Sequence, residues 1–330
     1  MAPKNSSAES AFVPRRWLSS GHAQTLAGNF LPRIDQLSPP EERYFKLEDG
    51  AQVLCHCHWQ PDRQDATTLV IVHGLEGSSA SQYVIGTANK AFAVGMNVVR
   101  MNMRNCGGTE KLCQTLYHSG MSADVGAVAK ALITEESLSR IALSGFSMGG
   151  NLVLKLAGEW GRDHAAPPEL MAVAGISPAM DLAISSDALH LPQNRIYEWK
   201  FLWGLQRRMM RKSTLFPERF AKPPRFWRSL RDFDERVTAP YSGFTGADDY
   251  YNRASSAQVV QHIRVPTLII HSNDDPFIKI TPETAAKIRS NPNITYLECA
   301  HGGHCAFLAE PNGYDGRWAE RQIVEFVRQF

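Results

Sequence analysis

The sequence predicts an α/β fold: a mostly parallel, doubly wound sheet with helices on both faces and a helical cap insertion. Three observations predict it. Short apolar segments of strand length alternate with segments of helix length along most of the chain. The pentapeptide GFSMG at 145–149 stands between one such strand and one such helix. The alternation then stops over 178–255, where aromatic and basic residues crowd together, before it resumes.

Taken in order, residues 1–42 are polar, contain proline and lack periodicity, so they read as an arm over the surface. RYFKLEDGAQVLCHCHW reads as two strands hinged at Asp49-Gly50. Strands follow at 69–73, 97–103, 140–144 and 170–176, with helices at 80–94, 122–134 and 149–160 between them. Gly95 stops the first helix and Ser122 is the expected N-cap of the second. The segment 178–255 carries Tyr197, Trp199, Trp203, Phe220, Phe226 and Trp227 interleaved with arginines and lysines, and reads as a helical lid over the strand C-termini. After it come a strand at 267–271, a helix opened by Pro282, a strand at 294–298 and a closing amphipathic helix at 317–330. In such sheets ligands bind at the C-terminal edge of the strands.

Composition narrows the function. The chain has 330 residues, 43% hydrophobic and 21% charged, and reads as a single domain over 1–330. Its net charge of +2 is too mild to imply nucleic-acid binding. No apolar run approaches the roughly 20 residues that span a bilayer, and the N-terminus lacks the apolar core of a secretory signal. A cytoplasmic protein without a stable membrane anchor is therefore expected. The six cysteines show no C-x-x-C pair and read as reduced thiols. In CHCHW at 55–59, strand alternation sets Cys55 and Cys57 on one face and His56 and His58 on the other. No further ligand pair stands nearby, so the stretch reads as half-buried strand and no metal is expected.

The chemistry centres on Ser147. A serine hydroxyl needs a base within reach, a group to orient that base, and donors for the developing oxyanion. G-x-S-x-G in a strand–turn–helix setting exposes the hydroxyl on a tight turn. VHGLEGSS at 72–79 follows an earlier core strand and offers the second oxyanion donor, Leu75 N–H, beside that of Met148; Gly74 shapes the turn and His73 reads as structural. LIIHSNDDPFI ends a strand with two carboxylates, of which Asp275 is preferred to Asp274 as the orienting acid. In ECAHGGHCAFL, His304 is preferred to His301 as the base.

The sequence resembles the α/β-hydrolase superfamily, and within it the AB hydrolase 4 group of YheT-like serine hydrolases. HAQTL at 22–26, HGLEGSS at 73–79, MNMRNCGGT at 101–109, LYHSGMSADV at 116–125, GFSMGGN, NDDPF at 273–277 and HGGHCAF at 301–307 carry the resemblance across nearly the whole chain. MRNCGG differs from the usual R-G-C-x-G of the group at Asn105. The resemblance implies a charge relay of Ser147, Asp275 and His304 acting on carboxylic esters, and in some relatives acyl transfer to alcohols or phospholipid cleavage. No organic cofactor is implied. The expected partner is a small-molecule ester with an apolar acyl group. The sequence accommodates water or an alcohol as acyl acceptor, and a non-catalytic binding protein is the third reading. It leaves the oligomeric state open.

Overall fold

Each central strand is buried on both faces, as its unbroken apolar run requires. In the computed structural model, which describes residues 12–330, β1 (Glu41–Lys46) and β2 (Gln52–His58) form a hairpin through Gly50 at φ 81°. They join β3 (Thr68–Val72), β4 (Asn97–Met101), β5 (Ile141–Phe146), β6 (Leu170–Ile176), β7 (Thr267–Ser272) and β8 (Ile294–Cys299). The sheet order is β1-β2-β4-β3-β5-β6-β7-β8, and among these strands β2 alone runs against the rest.

Alternation along the strands sorts the core into two layers. Val70, Val72, Leu143 and Val173 pack with α3 (Ser122–Thr134) and α4 (Met148–Asp163) on one face. Leu69, Ile71, Ala142 and Ile270 pack with α2 (Gln82–Ala93) and α11 (Trp318–Val327) on the other. α10 (Pro282–Ser290) connects β7 to β8; Thr281 caps it by accepting from Thr284 N–H, with Pro282 in the first turn as expected. Cys55 and Cys57 face the core, while His58 Nε2 lies 3.0 Å from Arg100 and His56 Nδ1 lies 3.1 Å from Ser79 Oγ. Both histidines are thus engaged with protein groups.

Two expectations need correction. Ser122 does not cap α3: Met121 holds that position, and the Ser122 hydroxyl instead donates to Glu159 Oε2 of α4 at 2.6 Å. A tertiary partner has outcompeted the local one. The expected arm contains a helix, α1 (Gly21–Phe30), N-capped by Ser20, whose Oγ accepts from Ala23 N–H at 3.2 Å. Its first turn lies so close to the loop after β7 that a Cβ on Gly21 would fall 1.8 Å from Asp274 O. Residues 1–11 of the arm lie outside the described residues.

Between β6 and β7 the chain forms α5 (Leu182–Leu189), α6 (Arg195–Leu215), α7 (Leu230–Phe233), a π-helical turn over Asp234–Thr238, α8 (Ala239–Tyr241) and α9 (Ala247–Ala254). Aromatic residues split by role here: Tyr197, Phe220 and Trp227 are buried, whereas Trp199, Trp203 and Phe226 are exposed. α6 is tied to the loop after β4. The fully buried Lys212 ammonium donates to Asn105 Oδ1 at 3.1 Å and to Glu110 O at 3.3 Å. Asn105 sits at φ 63°, a conformation that glycine takes freely and asparagine tolerates, so the departure from the usual glycine keeps the turn and adds an acceptor.

The same loop is anchored by Arg104, whose Nε and Nη2 donate to Asp124 Oδ2 and Oδ1 at 2.6 and 2.7 Å. Arg104→Ala would leave Asp124 buried without its cation. It should lower stability by about 3–5 kcal/mol, seen as a lower urea midpoint at unchanged m-value.

Candidate active site

β5 meets α4 at Ser147 in a turn too tight for side chains on either flank. Ser147 takes φ 54° and ψ −116°. A Cβ on residue 145 would fall 2.2 Å from Gly149 O, and one on residue 149 would fall 2.3 Å from Val72 O. The glycines of G-x-S-x-G are therefore a steric requirement of strand and helix passing at contact. Ser147 N–H donates to Ile176 O at 2.9 Å, which fixes the backbone, while Ser147 Oγ makes no hydrogen bond among the described residues. The positive end of α4 lies behind the hydroxyl.

The two candidate carboxylates have separate tasks. Asp275 is fully buried. Its Oδ1 accepts from the Phe277 and Ile278 N–H groups at 3.1 and 2.9 Å, and its Oδ2 lies 2.8 Å from His304 Nδ1. Asp274 turns to the other side: its Oδ1 accepts from Gly303 N–H at 2.9 Å and its Oδ2 lies 3.3 Å from the Nδ1 of exposed His301. Asp274 thus holds the loop that carries His304, as a loop-bonding carboxylate should. The His304 ring packs on Phe277 with centroids 4.5 Å apart, and its Nε2 lies 3.7 Å from Cys305 Sγ. With Nδ1–H given to Asp275, Nε2 carries the lone pair; among the described residues it makes no hydrogen bond to Ser147 Oγ, although both residues line one cleft.

Burial acts to lower the His304 pKa, but the Cys305 sulfur and the Asp275 carboxylate outweigh it and raise the imidazole above its usual range. Burial acts in the opposite sense on Asp275, where His304, its hydrogen bond and the Ile278 N–H hold the carboxyl below its usual range. Each group therefore favours the charged form of the other.

The loop after β3 completes the surroundings of Ser147. His73 is fully buried, with Nδ1–H donating to Gly74 O at 2.8 Å and Nε2 accepting from Met103 N–H at 3.1 Å. Burial lowers its pKa to about 4, so it is a neutral structural ring, as expected. Gly74 lies against the serine, since a Cβ there would fall 3.1 Å from Ser147 Cβ. The Gly74 N–H is taken by Tyr83 OH at 2.9 Å. The Leu75 N–H has no acceptor among the described residues, and the Met148 N–H begins α4, where no intrahelical acceptor exists. Leu75, Met148 and Ser147 line the same cavity.

Two cavities meet at the serine. One, of about 100 Å³, runs inward among Leu75, Met148, Leu182, Leu205, Phe233 and Phe277. The other is a cleft of about 650 Å³ that opens between α1 and α6 and exposes Gly74, Ser147, His304 and Cys305.

Three groups of residues escaped the sequence reading. Thr25 Oγ1 accepts from His304 N–H at 2.8 Å, and Gln24, fully buried, spans Leu308 by accepting its N–H at 2.7 Å and donating to its carbonyl at 3.0 Å. Tyr83 holds Gly74. Tyr117 and Arg208 hold Glu76: Tyr117 OH donates to Glu76 Oε1 at 2.6 Å and Arg208 Nε donates to the same oxygen at 3.0 Å. The signal for the first lay in HAQTL, preceded by a serine able to cap it. Tyr117 and Glu76 lay within LYHSGMSADV and HGLEGSS, whereas Tyr83 and Arg208 carried no local signal.

The fold recurs in known proteins. The profile of the alpha/beta hydrolase fold matches residues 67–311. The chain belongs to the α/β-hydrolase family. Within that family it is 30% identical to the candidate esterase YheT of Escherichia coli (strain K12), over 99% of this chain and 95% of that protein. It is 27% identical to the mouse (Mus musculus) phospholipase ABHD3, over 97% of this chain and 77% of the relative. It is 29% identical to the medium-chain fatty acid ethyl ester synthase/esterase 2 of Saccharomyces cerevisiae, over 88% and 66%. Among solved structures, the Pyrococcus furiosus esterase Pf2001 shares the fold at a TM-score of 0.57 and 16% identity, with 91% of this chain and 98% of that one covered. The family thus includes relatives named as an esterase, a phospholipase and an ester synthase/esterase.

The division between the carboxylates has a direct consequence for this α/β-hydrolase. Asp275→Asn removes the charge that favours the His304 imidazolium, so the ring pKa should fall by about one unit or more. Asp274→Asn should leave it nearly unchanged. Histidine-detected NMR titration of both variants checks this.

Proposed function

We propose that the protein is a serine carboxylesterase in which Ser147, His304 and Asp275 act together. The contact that carries this reading is the 2.8 Å His304–Asp275 pair, whose imidazole lines the same cleft as the strained Ser147. Ser147 Oγ attacks the ester carbonyl as His304 Nε2 takes its proton. Asp275 keeps the ring in the tautomer with Nδ1–H and stabilises the imidazolium that forms. The Leu75 and Met148 N–H groups receive the oxyanion, where fixed donors in a water-poor site are worth most. His304 then returns its proton to the departing alcohol, and water, deprotonated by His304, releases the acid.

The narrow apolar cavity beside Ser147 suits a short-to-medium acyl chain, and the wider cleft suits the alcohol side of the ester. Among the described residues no helix is long and apolar enough to cross a membrane. The six cysteines are free and buried, which suits a reducing compartment such as the cytoplasm. The second reading, acyl transfer to an alcohol, is favoured by the openness of the cleft at Ser147 and by the yeast relative named as both synthase and esterase.

On a panel of p-nitrophenyl esters, Ser147→Ala should lose about 10³-fold or more in kcat/KM and should no longer take a fluorophosphonate adduct. Equal rates in the two proteins would remove the reading. His304 acts as base only when neutral, and its pKa is raised. kcat/KM should therefore increase with pH through an ionisation above the usual histidine value of about 6.5. With ethanol present, ethyl ester formed beyond the uncatalysed yield would identify transfer, and acid alone would identify hydrolysis.

A further inference from the structure

One helix beside the cleft carries an exposed apolar stripe whose Ile196 and Trp203 line the opening. Ile196, Trp199, Trp203 and Met210 on α6 are exposed by 63, 66, 62 and 43%. Their offsets of three, seven and fourteen residues from Ile196 bring all four to one helical face. That stripe runs about 21 Å at 1.5 Å per residue. On the facing bank, at the end of α1, Phe30 is exposed by 74%. Large apolar side chains placed in water along both banks of one opening are an interaction surface, not scattered exposure.

Charge completes the pattern. Lys200, Arg207 and Arg211 lie on the flank of the stripe that lines the cleft. The two carboxylates lining the cleft, Glu76 and Glu110, are each held by an arginine, Arg208 at 3.0 Å and Arg211 at 2.7 Å. Lys200 reaches only Asn29 Oδ1, at 2.8 Å, and Arg207 stacks on Trp203 at 4.5 Å from the ring centroid. The rim thus offers cationic heads beside tryptophan and phenylalanine. Aromatic rings favour the boundary between headgroups and acyl chains, and lysine and arginine favour anionic headgroups.

We propose that the exposed face of α6 and the end of α1 dock reversibly on an anionic lipid bilayer, with the cleft mouth against the membrane. An ester with an apolar acyl group would then pass from the bilayer to Ser147 without crossing water. The proposal rests on the esterase reading for its purpose but not for its geometry. The basic flank favours a lipid surface over a second copy of the chain, since two such rims would repel each other.

Vesicle flotation with the purified full chain tests it, using phosphatidylglycerol–phosphatidylcholine vesicles against phosphatidylcholine alone. The wild type should partition into the anionic vesicles at least about ten-fold more strongly, and added salt should weaken this. Trp199 lines neither cavity. Trp199→Glu should therefore lower partitioning about ten-fold while leaving hydrolysis of soluble p-nitrophenyl acetate unchanged, which also reports that it folds. Ser147→Ala should bind vesicles like the wild type. Equal partitioning into both vesicle types, or Trp199→Glu binding like the wild type, overturns the proposal. So does a lipid-free dimer that Trp199→Glu dissociates, which would assign the stripe to a second copy. Full ester hydrolysis by Ser147→Ala would instead sink the esterase reading and leave the vesicle result standing.

Discussion

The contact between β5 and α4 is the constraint on which the rest depends. A Cβ at residue 145 has no room against α4, and one at residue 149 has none against the end of β3. That closeness holds Ser147 at φ 54°. It puts the hydroxyl at the rim of the sheet, the Met148 N–H at the start of a helix, and Gly149 against the carbonyl of Val72 at the end of β3. Serine, helix start and the neighbouring loop are thus held together by close backbone packing of β5, α4 and β3.

The imidazole is held differently, by polar contacts drawn from distant parts of the chain. Asp275 fixes the ring, Asp274 fixes the backbone at Gly303, and Thr25 fixes the His304 N–H. Gly302 and Gly303 lie at φ 145° and 59°, so the loop can turn back toward the sheet where other residues would be strained. Adjacent aspartates serve two roles because the tight turn after β7, closed by Asp275 N–H donating to Ser272 O at 3.1 Å, sends their side chains to different neighbours.

Local signals explain what the sequence revealed. Buried parallel strands are written as apolar runs, and GFSMG is legible because its geometry is enforced over five residues. The DDPF and HGGH loops are legible because each follows a strand at its C-terminal end. What stayed hidden depends on partners far along the chain. Thr25 and His304 are 279 residues apart, and Arg208 and Glu76 are 132 apart. No spacing rule links such pairs. α1 was missed because its polar residues, Gln24 and Thr25, face inward to bond the His304 loop, which erases the apolar stripe that marks most helices. Ser122 misled because a good capping residue is also a good tertiary donor.

Arg208 binds Glu76 in the loop beside Ser147 and also donates to the carbonyl of Asn105. Glu76 keeps only 16% of its side chain exposed and stands at φ 57°. Helix and loop are therefore mechanically geared. Losing the Arg208 contact would leave Glu76, so little exposed, without its cation. The roof over the pocket is thus bonded to the loop that carries Leu75.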